Sequence, residues 1–208
     1  MTKRTAYIVF SVALALSVIL VLSSSDMRLE GQHTGYSPEQ PIAFSHRLHA
    51  SELQIDCRYC HFGAEQGRHA GLPSVGLCMN CHKFVSAPMA DVRLEEANAQ
   101  AAGRPVEAVL SAEIAKIRKA ASDDGGDPFA WIKIHNLPEY VYFDHSRHVM
   151  AGVDCQQCHG PIETMERVRQ VEDLSMGWCV DCHREVNEKG WLGNTNLHAS
   201  TDCAGCHY

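Results

Sequence analysis

The chain has 208 residues, a formal net charge of -7 and only 7% aromatic residues. The acidic balance excludes a nucleic-acid-binding protein, which needs a basic face. The length allows one domain or two small lobes, and so few aromatic side chains leave the interior short of apolar volume.

In chain order, Lys3 and Arg4 precede an apolar run from Ala6 to Leu22, softened only by Ser11 and Ser17. Extended to Ser25, it is roughly 20 residues and about 30 Å long as a helix, enough to cross a bilayer core. Two readings stay open over residues 1–25: a retained transmembrane anchor, or a signal peptide cleaved near Ser23, Ser24 and Ser25. Both leave the positive charges in the cytoplasm and export residues from about 26 onward.

Residues 26–89 form a first module, "PIAFSHRLHASELQIDCRYCH…GLCMNCHK" from Pro41 to Lys83. A connector follows at 90–134. Within it "PVEAVLSAEIAKIRKAA" places Val106, Val109, Leu110, Ile114 and Ile117 at helical spacing, with Pro105 near its start and Lys116, Arg118 and Lys119 in its last turns. We expect one amphipathic packing helix there, stopped by "SDDGGD", with a docking surface as the alternative. Residues 135–186 form a second module, "YVYFDHSRHVMAGVDCQQCH…MGWCVDCHR" from Tyr140 to Arg184, and 187–208 is a terminal segment ending in "CAGCHY". Phe44, His46 and His49 align with Phe143, His145 and His148; Asp56-Cys57 aligns with Asp154-Cys155, and Lys83 with Arg184. This self-similarity predicts two units of one local build. "GLPS", "LPEY" and "KGWLGNTN" read as turns.

The ten cysteines all fall in pairs: Cys57/Cys60, Cys78/Cys81, Cys155/Cys158, Cys179/Cys182 and Cys203/Cys206. A histidine follows each pair at once: His61, His82, His159, His183 and His207. A disulfide framework has no need of that histidine, and zinc sites place their other ligands at variable distances. Five C-x-x-C-H units with no cysteine left over point to c-type haem attachment. Two thiols at this spacing reach the two vinyl groups on one porphyrin edge, and the next imidazole sits under the ring as the proximal iron ligand. The expected cofactors are therefore five covalently bound c-type haems. Their attachment happens outside the cytoplasmic membrane in bacteria, which agrees with export. The fold expected is mainly α with much irregular structure, in short helices wrapped around cofactors.

Eight further histidines can supply distal ligands. The best placed are His46, His49, His145 and His148, with His135 as the fifth; His198, His69 and Met176 follow, and Met150 and Met165 are weaker again. His33 is expected to be solvated. So many candidates favour six-coordinate irons, which exchange electrons rather than bind substrate. We therefore expect no catalytic residues.

FxHxxH ahead of paired C-x-x-C-H motifs resembles the class III multihaem cytochromes c. More narrowly, "FSHRLHASELQIDCRYCHFG", "GLPSVGLCMNCHK", "WIKIHNLPEYVYFDHSRHVMAGVDCQQCHG", "MGWCVDCHR" and "CAGCHY" are similar to the pentahaem subunit of alternative complex III, a bacterial quinol oxidoreductase. The likeness covers most of residues 36–208 and includes the N-terminal anchor; it is poorest around 90–105. It implies an integral-membrane subunit that oxidises menaquinol, an iron–sulfur subunit, and a monohaem cytochrome, a copper protein or a terminal oxidase as acceptor. From the residues alone the expectation is a membrane-tethered five-haem electron carrier on the periplasmic side of the cytoplasmic membrane. A catalytic multihaem reductase, a free periplasmic electron shuttle and a zinc-binding module are the alternatives.

Overall fold

A computed structural model of the chain describes residues 3–23, 33–122 and 129–207. Helix α1 runs Lys3–Ser23, and its Lys3–Val21 stretch is long and apolar enough to span a membrane. An anchor and a signal sequence meet that criterion equally. The proposed cleavage residues Ser24 and Ser25, and most of "SDDGGD", lie outside the described residues.

The rest is short helices and loops, with no strand among the described residues beyond the isolated bridges Val141–His207 and Trp191–Asn194. Each C-x-x-C-H sits on a helix, and the residue that starts the helix explains its length. In α2 (Cys57–Cys60) and α9 (Cys203–Cys206) the aspartate just before the first cysteine is the cap: Asp56 accepts from the Arg58 amide and Asp202 from the Ala204 amide. Helix α7 (Cys155–His159) also starts after an aspartate, Asp154, whose side chain makes no cap bond. In α3 (Val75–His82) and α8 (Met176–Lys189) the cap is a serine four residues earlier, Ser74 or Ser175, so these cysteines enter one turn into the helix. A side-chain oxygen at the cap occupies an amide that the helix itself leaves unpaired. Gly160 ends α7 at φ 69°, and a Cβ there would stand 2.6 Å from Val171 Cγ2.

The connector differs from expectation. It holds two helices, α4 (Met89–Ala102) and α5 (Ala112–Ala120), not one from Pro105. Gly103 in the left-handed conformation stops α4. Pro105 disfavours helical geometry at Arg104, and the next good cap is Ser111, which accepts from the Ile114 amide. Ile114 and Ile117 are buried as the spacing predicts, whereas Val106 and Leu110 are exposed. Helix α5 braces the first module. Arg118 donates to the His82 and Lys83 carbonyls at the end of α3, where the helix dipole favours a cation. Glu113 accepts from the Ala43 amide, 2.9 Å away.

The two modules interlock. Helix α6 (His145–Met150) of the second is held by the turn after the first motif, through Ser146 N–Gly67 O at 3.2 Å. The matching segment of the first module, a π-helical turn Arg47–Glu52, is held by the turn after the third motif, through Arg47 N–Met165 O at 3.0 Å. Arg47 and Ser146 are aligned positions of the repeat, as are Gly67 and Met165, so the two bonds are equivalent. Gln40 adds a two-bond link to Ile132.

Few apolar side chains are buried: Ile42, Ala64, Ala87, Ala99, Ile114, Ile117, Met165 and Val186. The only buried polar residue among those described is Gln170, at 0% exposure, and its hydrogen bonds join three segments. Its backbone pairs with Gly35 and Tyr36, Oε1 accepts from the Asn136 amide, and Nε2 donates to the Glu172 and Asp173 carbonyls. Gln170→Ala strips the Asn136 amide of its acceptor inside the protein, a loss of about 1–3 kcal/mol. We expect a fall in thermal midpoint for that variant. Asp181→Asn, which breaks only an exposed ion pair with Arg184, is expected to move it far less.

Candidate haem-binding site

None of the ten cysteines forms a disulfide. Among the described residues no three His, Cys, Asp or Glu side chains converge on one point, so the donors do not form a zinc-type cage. The imidazoles instead meet in facing pairs. His46 and His61 stand 6.4 Å apart between ring centroids with their planes 4° from parallel. His145 and His159 repeat this at 6.3 Å and 7°. His49 faces His82 at 6.2 Å and 58°, and His148 faces His183 at 6.1 Å and 29°. One metal ion between two imidazoles, with bonds of about 2 Å to each nitrogen, separates the ring centres by roughly 6 Å. The residues therefore fit haem iron held between a motif histidine and an FxHxxH histidine.

Tautomers agree. A carbonyl only accepts, so a ring whose Nδ1 meets one carries its proton there and leaves Nε2 free for metal. His61 meets Gly71 O at 2.7 Å, His82 Val85 O at 3.3 Å and His183 Ser200 O at 2.5 Å. On the distal side His49 meets Ser45 O, His148 Asp144 O and His145 Arg68 O, at 2.9, 2.9 and 2.8 Å. The FxHxxH phenylalanines set the rings: Phe44 packs edge-on to His46 and stacked on His49, and Phe143 treats His145 and His148 alike.

Burial lowers His46 to about 4, with His61 and His49 adding to it. Burial, then the neighbouring His135, His145, His61 and His46, lowers His159 to about 3. Both stay neutral, as a metal ligand must. Burial also raises several motif thiols, Cys158 to about 11 with help from Cys179 and Cys182. A thioether carries no charge and suits such surroundings better than a thiolate.

The motifs are neighbours in an order that is not the chain order. Tyr59 accepts from Asn80, and Cys60 lies near Cys78, so the first motif adjoins the second. Cys57 is within hydrogen-bonding reach of Cys155, joining the first motif to the third. Cys158 adjoins Cys179, and Cys179 adjoins Cys206. The row of proximal histidines is His82, His61, His159, His183, His207.

The ten motif cysteines differ in exposure. Cys81, Cys182 and Cys203 are exposed, whereas the other seven thiols are half-buried. An exposed thiol still satisfies the spacing of the motif, since attachment needs both sulfurs at one porphyrin edge and that edge can face solvent.

The remaining candidates fall elsewhere. His135 does not face a motif histidine across a gap. Its ring stands 4.3 Å from His159 at 84°, too close for an iron between them, and the flanking Ile132 and Asn136 amides donate to Gln40 and Gln170. His207 bridges Val141 and stacks with Tyr140 at 5.8 Å; among the described residues no imidazole faces it at the spacing of the other four. His198 is exposed, with Nδ1 held at 2.9 Å by Asn187 Oδ1, which leaves its Nε2 free. His69 is exposed, as are Met176 and Met150. Met165 is buried packing. His33, expected to be solvated, is half-buried edge-on to Tyr36. The capping side chains Asp56, Ser74, Ser175 and Asp202 were missed from sequence, although D-C-x-x-C-H and S-x-x-x-C-x-x-C-H carry the signal.

Residues 141–208 match the family model described as cytochrome c7 and related cytochrome c. That match takes in the second FxHxxH turn, the last three C-x-x-C-H motifs and the His145/His159 and His148/His183 ring pairs. Over 189 residues the chain is 28% identical to the protein named menaquinone reductase, multihaem cytochrome c subunit, of Nitratidesulfovibrio vulgaris, covering 81% of this chain and 77% of the relative. It is also 32% identical over 76 residues to the multihaem cytochrome MtrA of Shewanella baltica, covering 31% of this chain and 23% of that protein.

Replacing Cys179 with Ala is expected to leave one haem held by a single thioether, seen as a red-shifted component in the pyridine haemochrome spectrum, and to lower the thermal midpoint; a haemochrome spectrum identical to that of the wild type refutes attachment there. His145→Ala is expected to turn one haem high-spin or raise its potential, read by absorption spectra and redox titration.

Proposed function

We propose that this chain is a membrane-anchored electron relay holding five covalent c-type haems on the periplasmic side, working with a quinone-reactive membrane subunit. The observation that carries the reading is the set of four imidazole pairs 6.1–6.4 Å apart, each opposite its own C-x-x-C-H. Cys57/Cys60, Cys78/Cys81, Cys155/Cys158, Cys179/Cys182 and Cys203/Cys206 would form the thioethers. His61/His46, His82/His49, His159/His145 and His183/His148 would hold iron, and His207 the fifth, with His198 as its proposed distal partner. Haem held this way supplies one-electron exchange and, with both axial positions filled, no place for a substrate. The equivalent ring geometry and the interlocking bonds support a duplicated dihaem unit. The continuous row of motifs supports a relay with ends at His82 and His207.

The similarity to a menaquinone reductase subunit supports a quinone-linked partner. The likeness to the pentahaem subunit of alternative complex III further favours quinol oxidation, an iron–sulfur subunit beside this chain and a monohaem cytochrome or copper protein as acceptor. Detergent extraction is expected to bring out the chain with a large multispanning subunit, and menaquinol to reduce its haems. Recovery as a free protein without detergent, with a mature start near Asp26, sinks the anchored reading in favour of a periplasmic shuttle.

The unmatched side of His207 favours a second reading, a reductase with one open iron. Carbon monoxide decides: binding by the reduced protein supports that reading, and a spectrum unchanged by it supports the relay, in which case His198→Ala is expected to create a carbon monoxide site.

A further inference from the structure

We propose that His135 is a positioning residue for the middle of the row: its Nε2 accepts a hydrogen bond from Nδ1–H of His159 and strengthens that imidazole as a donor to iron. The inference rests on the haem-binding reading above.

The proximal rings of His61, His82 and His183 each give Nδ1–H to a backbone carbonyl. His159 has no such acceptor; its Nδ1 is buried without a partner. The ring packed on it, 4.3 Å away, is His135, whose Nε2 is also buried without a partner. An imidazole that gives Nε2 to iron must carry its proton on Nδ1, so His159 is an unmatched donor and His135 Nε2 the unmatched acceptor beside it. Buried polar groups are seldom left unpaired, and a rotation of the His135 ring pairs both while His159 stays parallel to His145. The backbone that carries His135 is fixed, since Gln170 Oε1 holds the Asn136 amide at 3.1 Å and Gln40 holds Ile132.

A hydrogen bond accepted from Nδ1–H pushes electron density towards the metal and favours the ferric state, lowering the potential. His159 stands third of five in the row, on the motif of the second module that adjoins the first. His135 thus sets the step that every electron crossing between modules must take.

The test uses the full chain in detergent, with His135→Phe and His135→Gln. Covalent haem is counted by mass first. Five are expected in all three proteins; fewer in the wild type defeats the haem reading, and this inference with it. In the redox titration of the Phe variant one component should rise, with at least a tenfold change in its oxidised-to-reduced ratio at fixed poise, about 59 mV for a one-electron couple. The Gln variant keeps an acceptor oxygen and should stay near wild type. An unchanged titration in the Phe variant, or equal shifts in both, overturns the role of His135 and leaves the five-haem reading standing. Should the Phe variant lose a haem, ¹⁵N-histidine NMR of the reduced wild type decides. A coupling between His159 Nδ1–H and His135 Nε2 supports the bond; a freely exchanging proton on His159 overturns it.

Discussion

Two imidazoles facing each other across about 6 Å, with a pair of thiols beside the gap, is the constraint that organises this molecule. One imidazole comes from the motif helix and is fixed by its neighbouring cysteines. The other must be delivered by a different segment, at a set distance and tilt. The FxHxxH turn does this twice over, because its histidines three apart serve two motifs, and its phenylalanine wedges between them. The polar caps, the Nδ1–carbonyl bonds and the sparse apolar core follow from this demand. Short helices suffice, since each has only to aim one ring and two sulfurs.

That constraint also explains the interlocking. Here each turn is held by the loop after the other unit's first motif, through equivalent bonds to Gly67 and Met165. The exchange brings Cys57 beside Cys155 and makes one row out of two short ones. Helix α5, tied to the end of α3 by Arg118, stiffens one end of that row. Gln170 stiffens the middle, gathering residues 35–36, 136 and 172–173 around one buried amide.

Much of the candidate site was legible in the chain. C-x-x-C-H names its chemistry by spacing, and the repeat of FxHxxH marked His46, His49, His145 and His148 as a set. Other placements depend on remote contacts rather than local pattern. His135 has the apolar neighbours of a ligand, and the structure sets its ring against His159, with Ile132 and Asn136 tied to Gln40 and Gln170. The connector carries a helical period from Val106, yet Gly103, Pro105 and the Ser111 cap delay the helix. His33 looks like a solvated residue beside an apolar run, yet the pairing of Gly35 and Tyr36 with Gln170 draws it in.

The sequence by itself determined the number and kind of attachment motifs, the apolar N-terminal helix and the existence of a repeat. Those depend on spacings of a few residues, which covalent geometry carries directly. Only the tertiary structure decided which imidazole faces which, that the motifs run second, first, third, fourth, fifth in space, and that His207 differs from the rest. Such relations depend on hydrogen bonds between residues about a hundred positions apart, such as Arg47 with Met165, and no local pattern encodes them.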